Sequence, residues 1–441
     1  MAEINRTDLA WEILELAGDY GEQAEVFSSE SDQTVVEFRA NELHTQQVRW
    51  TQGFGLRLIK DGRVGFSSTT NPDAIEGLLA AAAETAAYGK AANFSLPGQQ
   101  PVRVLKMFEN RVVLVSAQRL REWGEDLIDA IRSRVPDIKL DLTLRRCLRQ
   151  VDIINSVGLD ASWERTELEL SLNGLLVQDG LVWLSDYENL SSGEPLAIGP
   201  LAERVCQLAR LVRGKAALKT GSYPVLVMPT ALPNFLLPLL VAVNGKHLEK
   251  GTSPLVGKEE NRLLDERLTI ADNPLREWSL ESAPFDGEGS PCRRNLLFEK
   301  GKFKGFLLDL ATASACNRAT TGSAQRDYAS PPTPGTTNIE VSPGNDRLEK
   351  VLGEMKEGLI IYDCIGGGQS NLLAGEVTLN ISCGLKVVDG VPVGRVKDAM
   401  IGGNVYEMFS NIAALGNSQR DLGNYFLPFV LFPGLLVSTK E

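Results

Sequence analysis

Residues 139–146 read KLDLTLRR, 149–156 RQVDIINS, 164–174 ERTELELSLNG and 175–186 LLVQDGLVWLSD. Apolar and polar side chains alternate along each run, the period that puts one set on either face of a strand. Polar turns separate the runs. Together they predict a meander of antiparallel strands with one face buried.

The same reading extends outward on both sides. Upstream, AEVFSS (24–29), TVVEFRA (34–40) and ELHTQQVRW (42–50) read as extended segments. FGLRLIK and VGFSST flank Asp61-Gly62, a strong hairpin signal. Helices are predicted over residues 8–17, from an Asn71-Pro72 cap and N1 pair to Tyr88, from Ser116 to Ile131, and from Leu201 to Val212. Downstream of Lys219-Thr220-Gly221, glycines and short strand signals dominate. Ser330 to Gly335 holds three prolines and suits neither a helix nor a central strand. Residues 425–437 read as a closing pair of apolar strands. The fold class is α+β: a mixed N-terminal domain over 1–217, then a mainly antiparallel β domain over 218–441.

The 441 residues carry a formal net charge of -12, which disfavours direct binding to nucleic acid. Six scattered cysteines without a CxxC pair predict free thiols. The opening MAEINRTDLAWEILELAG has no signal-peptide pattern, so the expected location is the cytoplasm. Tyr223 to Val243 contains no charge and is long enough for a membrane span. Its four prolines favour a buried strand, turn and helix instead.

Chemistry-bearing motifs are sparse. A catalytic zinc site takes three protein ligands, and the only histidines are His44 and His247. No GxSxG elbow is present, and the Lys219-Thr220-Gly221 match to KTG lacks an accompanying SxxK. A cysteine nucleophile needs a nearby base; the cysteine singled out as a candidate is Cys364, in a strand leading into Gly366 to Gly368. Gly366, Gly367 and Gly368 lack the Lys-Ser/Thr ending of a phosphate loop and read as a bulge or close backbone approach. Gly53-x-Gly55 precedes a strand and is no dinucleotide fingerprint. Asp286 and Glu288, in FDGEG, are either turn formers or, on an extended segment, a pair that handles a proton.

Several segments resemble the PmbA/TldE branch of the TldD/PmbA family, bacterial proteins also labelled modulators of DNA gyrase. In the first half the match is GFGLRLIKDGRVGFSSTTNPDAI (53–75). In the second it runs through KGTSPLVGK (250–258), RLTIADNP (267–274), SAPFDGEGSPCRRNLLFEKGKFKGFLLD (282–309) and ATTGSAQR (319–326). It continues with GGGQSNLLAGEVTLNISCGLKVVDG (366–390) and IGGNVYEMFSNIAALGN (401–417). The TldD branch is a zinc peptidase with HExxxH on a helix and a zinc-binding cysteine near the C-terminus. Laid on VAVNGKHLE, that motif falls on Val241, Ala242 and Lys246. The stretch GNYFLPFVLFPG (423–434) has no cysteine.

The resemblance therefore implies a metal-free subunit without catalytic residues of its own. It would form a heterodimer with a TldD-type protein, or a homodimer, and act on unfolded or leader peptides, with zinc in the partner. The implied peptide or partner contacts are Asp286, Glu288, Arg326 and Gly366 to Gly368. Two other readings stay open: an independent hydrolase, or a non-proteolytic binder of gyrase or another client. No membrane partner is implied.

Overall fold

A computed structural model describes residues 6–177, 180–368 and 370–439. The first half is built on one antiparallel sheet of six strands: β1 (Gln23–Arg39), β2 (Glu42–Lys60), β3 (Arg63–Thr69), β4 (Lys139–Asn155), β5 (Asp160–Val177) and β6 (Leu181–Asn189). Their order across the sheet is β3-β2-β1-β4-β5-β6. The sheet is antiparallel, as the alternation predicts, but β1, β2 and β4 are each about twice as long as the runs suggest. KLDLTLRR and RQVDIINS are one strand, as are AEVFSS and TVVEFRA. The polar stretch between the latter two hides the continuity. It stays extended because β1 is paired with β2 and β4 on its two sides.

One face of the sheet is covered by helices. Arg6–Ala17 and Ile75–Ala86 pack on Val26, Phe54, Leu56 and Leu58. Ala117–Arg132 and Ile198–Leu211 pack on Val36, Phe38 and Leu140. Ser116 caps the third of these helices by accepting from Arg119 N, where the sequence places the cap. The other face carries Glu25, Phe27, Gly53, Gly55, Arg57 and Ile153, and receives the second half of the chain.

That second half contains a closed ring of five strands. Glu357–Gly366 pairs Gly221–Val227, which pairs Val430–Thr439. The ring continues through Ala399–Asn404 and Glu376–Val388 back to Glu357–Gly366. Against it packs the helix Leu232–Ala242, with Phe235 stacked on Phe432 at a centroid distance of 6.0 Å. Beside the ring lies a sheet of short strands centred on Ile270–Asp272 and Ile339–Val341. The architecture is α+β throughout, with two parallel pairings among antiparallel ones in this half.

Residues 425–437 do not form a strand pair. Tyr425–Leu427 joins the short-strand sheet beside Ile339–Val341, and Val430–Thr439 closes the ring. Both strands are apolar because both sheets are buried, so composition does not reveal that they part. The proline-rich stretch 330–335 is a loop apart from Thr333–Pro334, which bridges to Ala324–Gln325. Among the described residues, no helix is long and apolar enough to cross a membrane.

Candidate functional site: a cleft between the halves

The docking of the two halves begins with a missing side chain. Gly53 and Gly55 sit on β2, facing the second half. A Cβ on Gly53 would lie 2.3 Å from the Tyr328 ring, and one on Gly55 would lie 2.4 Å from the Tyr328 carbonyl oxygen. The Gly53-x-Gly55 pair is thus a seat for the segment Arg326–Tyr328, a role sequence reasoning missed. Two glycines on the same face of a predicted strand were the signal.

Next to this seat runs a buried chain of alternating charges. Arg326 Nη1 donates to Glu25 Oε1 at 2.6 Å, and Arg57 Nη2 donates to Glu25 Oε2 at 2.7 Å. Arg57 Nη1 donates to Glu288 Oε1, while Glu288 Oε2 accepts from Leu310 N at 2.7 Å. Glu25 and Arg57 come from the first half, Glu288 and Arg326 from the second. Burial alone would lower the Arg57 pKa, but Glu25 and Glu288 outweigh it and hold the guanidinium charged. Burial lowers Arg326 despite Glu25, and raises Glu288 despite Arg57.

Asp286 and Glu288 play different structural parts. Asp286 is a turn former: Oδ1 accepts from Glu288 N at 2.9 Å and Ser290 N at 3.0 Å, and Oδ2 accepts from Ala324 N at 3.0 Å. It is also a perturbed acid, pushed up to about 8 by burial and by the Glu288 charge. Glu288 is the structural ion-pair partner of Arg57. Asp286, Glu288 and Arg326 therefore lie together. Gly366, Gly367 and Gly368 do not join them; they end a strand of the ring, where Gly366 and Gly367 take φ of 118° and 84°.

Arg57 and Glu288 also form part of the wall of a cleft of about 570 Å³. Phe66, Lys90 and Phe94 from the first half line it, with Lys246, Glu249, Asp309 and the loop Pro331–Thr333 from the second. Asp309 caps the short helix Leu310–Ala315 through Oδ1, which accepts from Thr312 N at 2.7 Å, and its Oδ2 has no partner.

The stretch 235–249 is covered by two helices. The helix Leu232–Ala242 ends, Asn244 accepts from Lys246 N at 2.9 Å, and a second helix begins over Gly245–Glu249. Positions five apart on a straight helix stand about 140° apart around its axis. The break re-aims the chain, and of Val241, Ala242 and Lys246 only Lys246 lines the cleft. An isopropyl group, a methyl group and an ammonium offer a zinc ion no lone pair that is free at neutral pH. Among the described residues, no three His, Cys, Asp or Glu side chains are grouped to hold a metal. The residues do not fit the metal.

The remaining candidates fall outside the cleft. Cys364 is buried, and its thiol is pushed up to about 12 by burial and Asp363, so it is no activated nucleophile. His247 Nδ1 lies 3.1 Å from Thr252 Oγ1. His44 is exposed at a bulge in β2. Sequence reasoning missed Glu25, Arg57, Lys90, Phe94 and Asp309.

The two halves thus close around a cleft lined by both, with the second of two short helices, Gly245–Glu249, on its wall. The chain belongs to the PmbA/TldD family. The family's C-terminal domain, described as the PmbA/TldA metallopeptidase C-terminal domain, matches residues 220–439, and metallopeptidase domain 1 matches 24–87. An uncharacterized protein of Methanocaldococcus jannaschii is 26% identical over 97% of this chain and 99% of its own length. A metalloprotease TldD homolog of Buchnera aphidicola is 27% identical, over 46% of this chain and 42% of its own. The crystal structure of TldE from Thermococcus kodakarensis superposes with a TM-score of 0.91 at 23% identity, covering 98% of this chain and all of that one. At that identity the likeness speaks for the fold.

Proposed function

We propose that this chain is the metal-free subunit of a cytoplasmic peptidase pair. It holds an extended, unfolded or leader peptide in the cleft while a TldD-type partner supplies zinc, activated water and the general base. The observation that carries the reading is Lys246: at the position of the family's second histidine, a cation faces a peptide-sized cleft. An ammonium there can bind a peptide carbonyl or carboxylate but cannot ligate zinc. The buried Glu25–Arg57–Glu288 chain keeps the cleft walls at a fixed spacing, which pre-organises the site.

Metal analysis and hydrolysis of an unfolded peptide, for the chain alone and mixed with a TldD-type protein, test this. A metal-free, inert chain that accelerates its partner supports the proposal. Stoichiometric zinc in the chain alone, or cleavage by it, overturns it.

A further inference from the structure

The charged side chains lining the cleft are Arg57, Lys90, Lys246, Glu249, Glu288 and Asp309. Four of them are matched inside it, Lys90 by Glu249 at 3.3 Å and Arg57 by Glu288. Lys246 and Asp309 are left over, and among the described residues neither forms an ion pair, with the other or elsewhere. Asp309 is 1% exposed, so it belongs to the deepest part of the cleft. Its Oδ1 accepts from Thr312 N at 2.7 Å and from Thr312 Oγ1 at 2.6 Å. Its Oδ2 accepts from no described residue. Buried carboxyl oxygens are normally met by donors. An unmet one at a cavity marks a place for a donor that the chain does not supply.

We propose that Asp309 Oδ2 receives the α-ammonium of a peptide's free amino terminus, while Lys246 holds a carbonyl oxygen close behind it. Gly245 N donates to Leu307 O at 2.9 Å, which ties the helix carrying Lys246 to the segment leading into Asp309. An anion and a cation that share one cleft without joining each other call for a ligand with the complementary pair, a cation and an acceptor close together. The start of a peptide has this pair, because its ammonium nitrogen stands two bonds from the first carbonyl carbon. A lysine or arginine side chain brings a cation with no acceptor beside it.

Phe66, Phe94 and Pro331 offer apolar surface to the side chains that follow. The inference rests on the cleft being a peptide site, and it adds which end of the peptide enters. A blocked terminus or an internal stretch of chain gives Oδ2 at most a neutral donor, and a charge-assisted bond is about twice as strong as a neutral one. Asp309 thus sets specificity for peptides with a free amino end.

Titration calorimetry on the full chain alone tests it, with an alanine-rich pentapeptide amide whose amino end is either free or acetylated. The wild type is expected to bind the free form about tenfold more tightly. Asp309→Asn should bind both forms equally, at the affinity of the acetylated one. Asparagine keeps an oxygen for Thr312 N, so the helix cap survives, and a thermal melt confirms the fold. An acetylated peptide that begins with lysine should bind no better than the acetylated parent. Equal binding of the free and acetylated forms by the wild type overturns the inference and leaves the cleft as a peptide site. Discrimination that persists in Asp309→Asn, or recovery by the acetylated lysine peptide, overturns it too. A chain that binds none of these peptides overturns the reading of the cleft and this inference with it.

Discussion

Arg57 on β2 and Glu288 in the second half form an ion pair with side chains only 3% and 0% exposed. They stand 231 positions apart in sequence. The pair is held from both ends: Arg57 also binds Glu25, and Glu288 accepts from Leu310 N. A buried pair of this kind gives little net stability, yet losing one partner strands the other charge. Glu288→Leu is therefore expected to destabilise the chain by about 3–5 kcal/mol. Arg57→Met should cost a similar amount, and the double variant less than the sum of the two. Thermal melts of the three variants check this; strictly additive losses would show that the two residues do not interact.

The glycine seat gives a prediction that separates two kinds of clash. Gly53→Ala meets the Tyr328 ring, whereas Gly55→Ala meets the Tyr328 backbone oxygen. Each should cost about 1–3 kcal/mol through overpacking. Adding Tyr328→Ala should relieve Gly53→Ala, because the ring is gone. It should not relieve Gly55→Ala, because the carbonyl remains. Denaturation midpoints of the four variants decide it; equal rescue of both would place the seat elsewhere.

How much of this was legible in the sequence depends on how local the cause is. The β2–β3 hairpin was readable because Asp61 and Gly62 both take positive φ, at 51° and 67°, and that dipeptide favours such a turn by itself. Helix caps at Asn71 and Ser116 were readable for the same reason. The continuity of β1 through Ser28 to Gln33 was not, since pairing on both sides, and not local pattern, keeps that polar stretch extended. Asp286, Glu288 and Arg326 could be picked as candidates from chemistry and resemblance. Their partners Glu25 and Arg57 could not, because a charge on a strand carries no mark of the distant element that will cover it. Gly53 and Gly55 do carry a mark, two glycines on one face of a strand, but the mark does not say which segment will cover that face.

Asp272 is fully buried in the short-strand sheet, and its carboxyl is pushed up to about 7 by burial, against the donors of Thr337. Its folded pKa lies above the unfolded value, so the folded state binds the proton more tightly between pH 4 and pH 7. Stability from this group is complete below pH 4 and lost as pH rises through 7. Asp286 acts in the same direction up to about 8. Oδ1 of Asp272 accepts from Thr337 N at 2.6 Å and Thr337 Oγ1 at 2.8 Å, while Oδ2 has no partner. An amide nitrogen can replace Oδ2 without losing a bond. Asp272→Asn should therefore flatten the fall in melting temperature between pH 5 and pH 8 and be the more stable form at pH 8. A parallel pH profile for variant and wild type would show that Asp272 titrates normally.

Lys246 offers the most direct test of the cleft. Its ammonium lines a cavity of about 570 Å³ whose other charges are partly committed: Lys90 to Glu249 at 3.3 Å, and Arg57 to Glu288. If Lys246 binds peptide in the ground state and the transition state alike, its loss should raise KM and leave kcat unchanged. In a mixture with a TldD-type partner, Lys246→Ala is expected to raise KM for an unfolded peptide roughly tenfold, the scale of one charge-assisted contact. Lys246→Arg should recover much of it, because the positive charge is kept even though the geometry differs. Neither variant should change the melting temperature by more than a few degrees, since Lys246 makes no ion pair among the described residues. A fall in kcat at unchanged KM would instead place the ammonium at the reacting carbonyl. No effect on either constant would remove Lys246 from the peptide's path and with it the observation on which the proposed function stands.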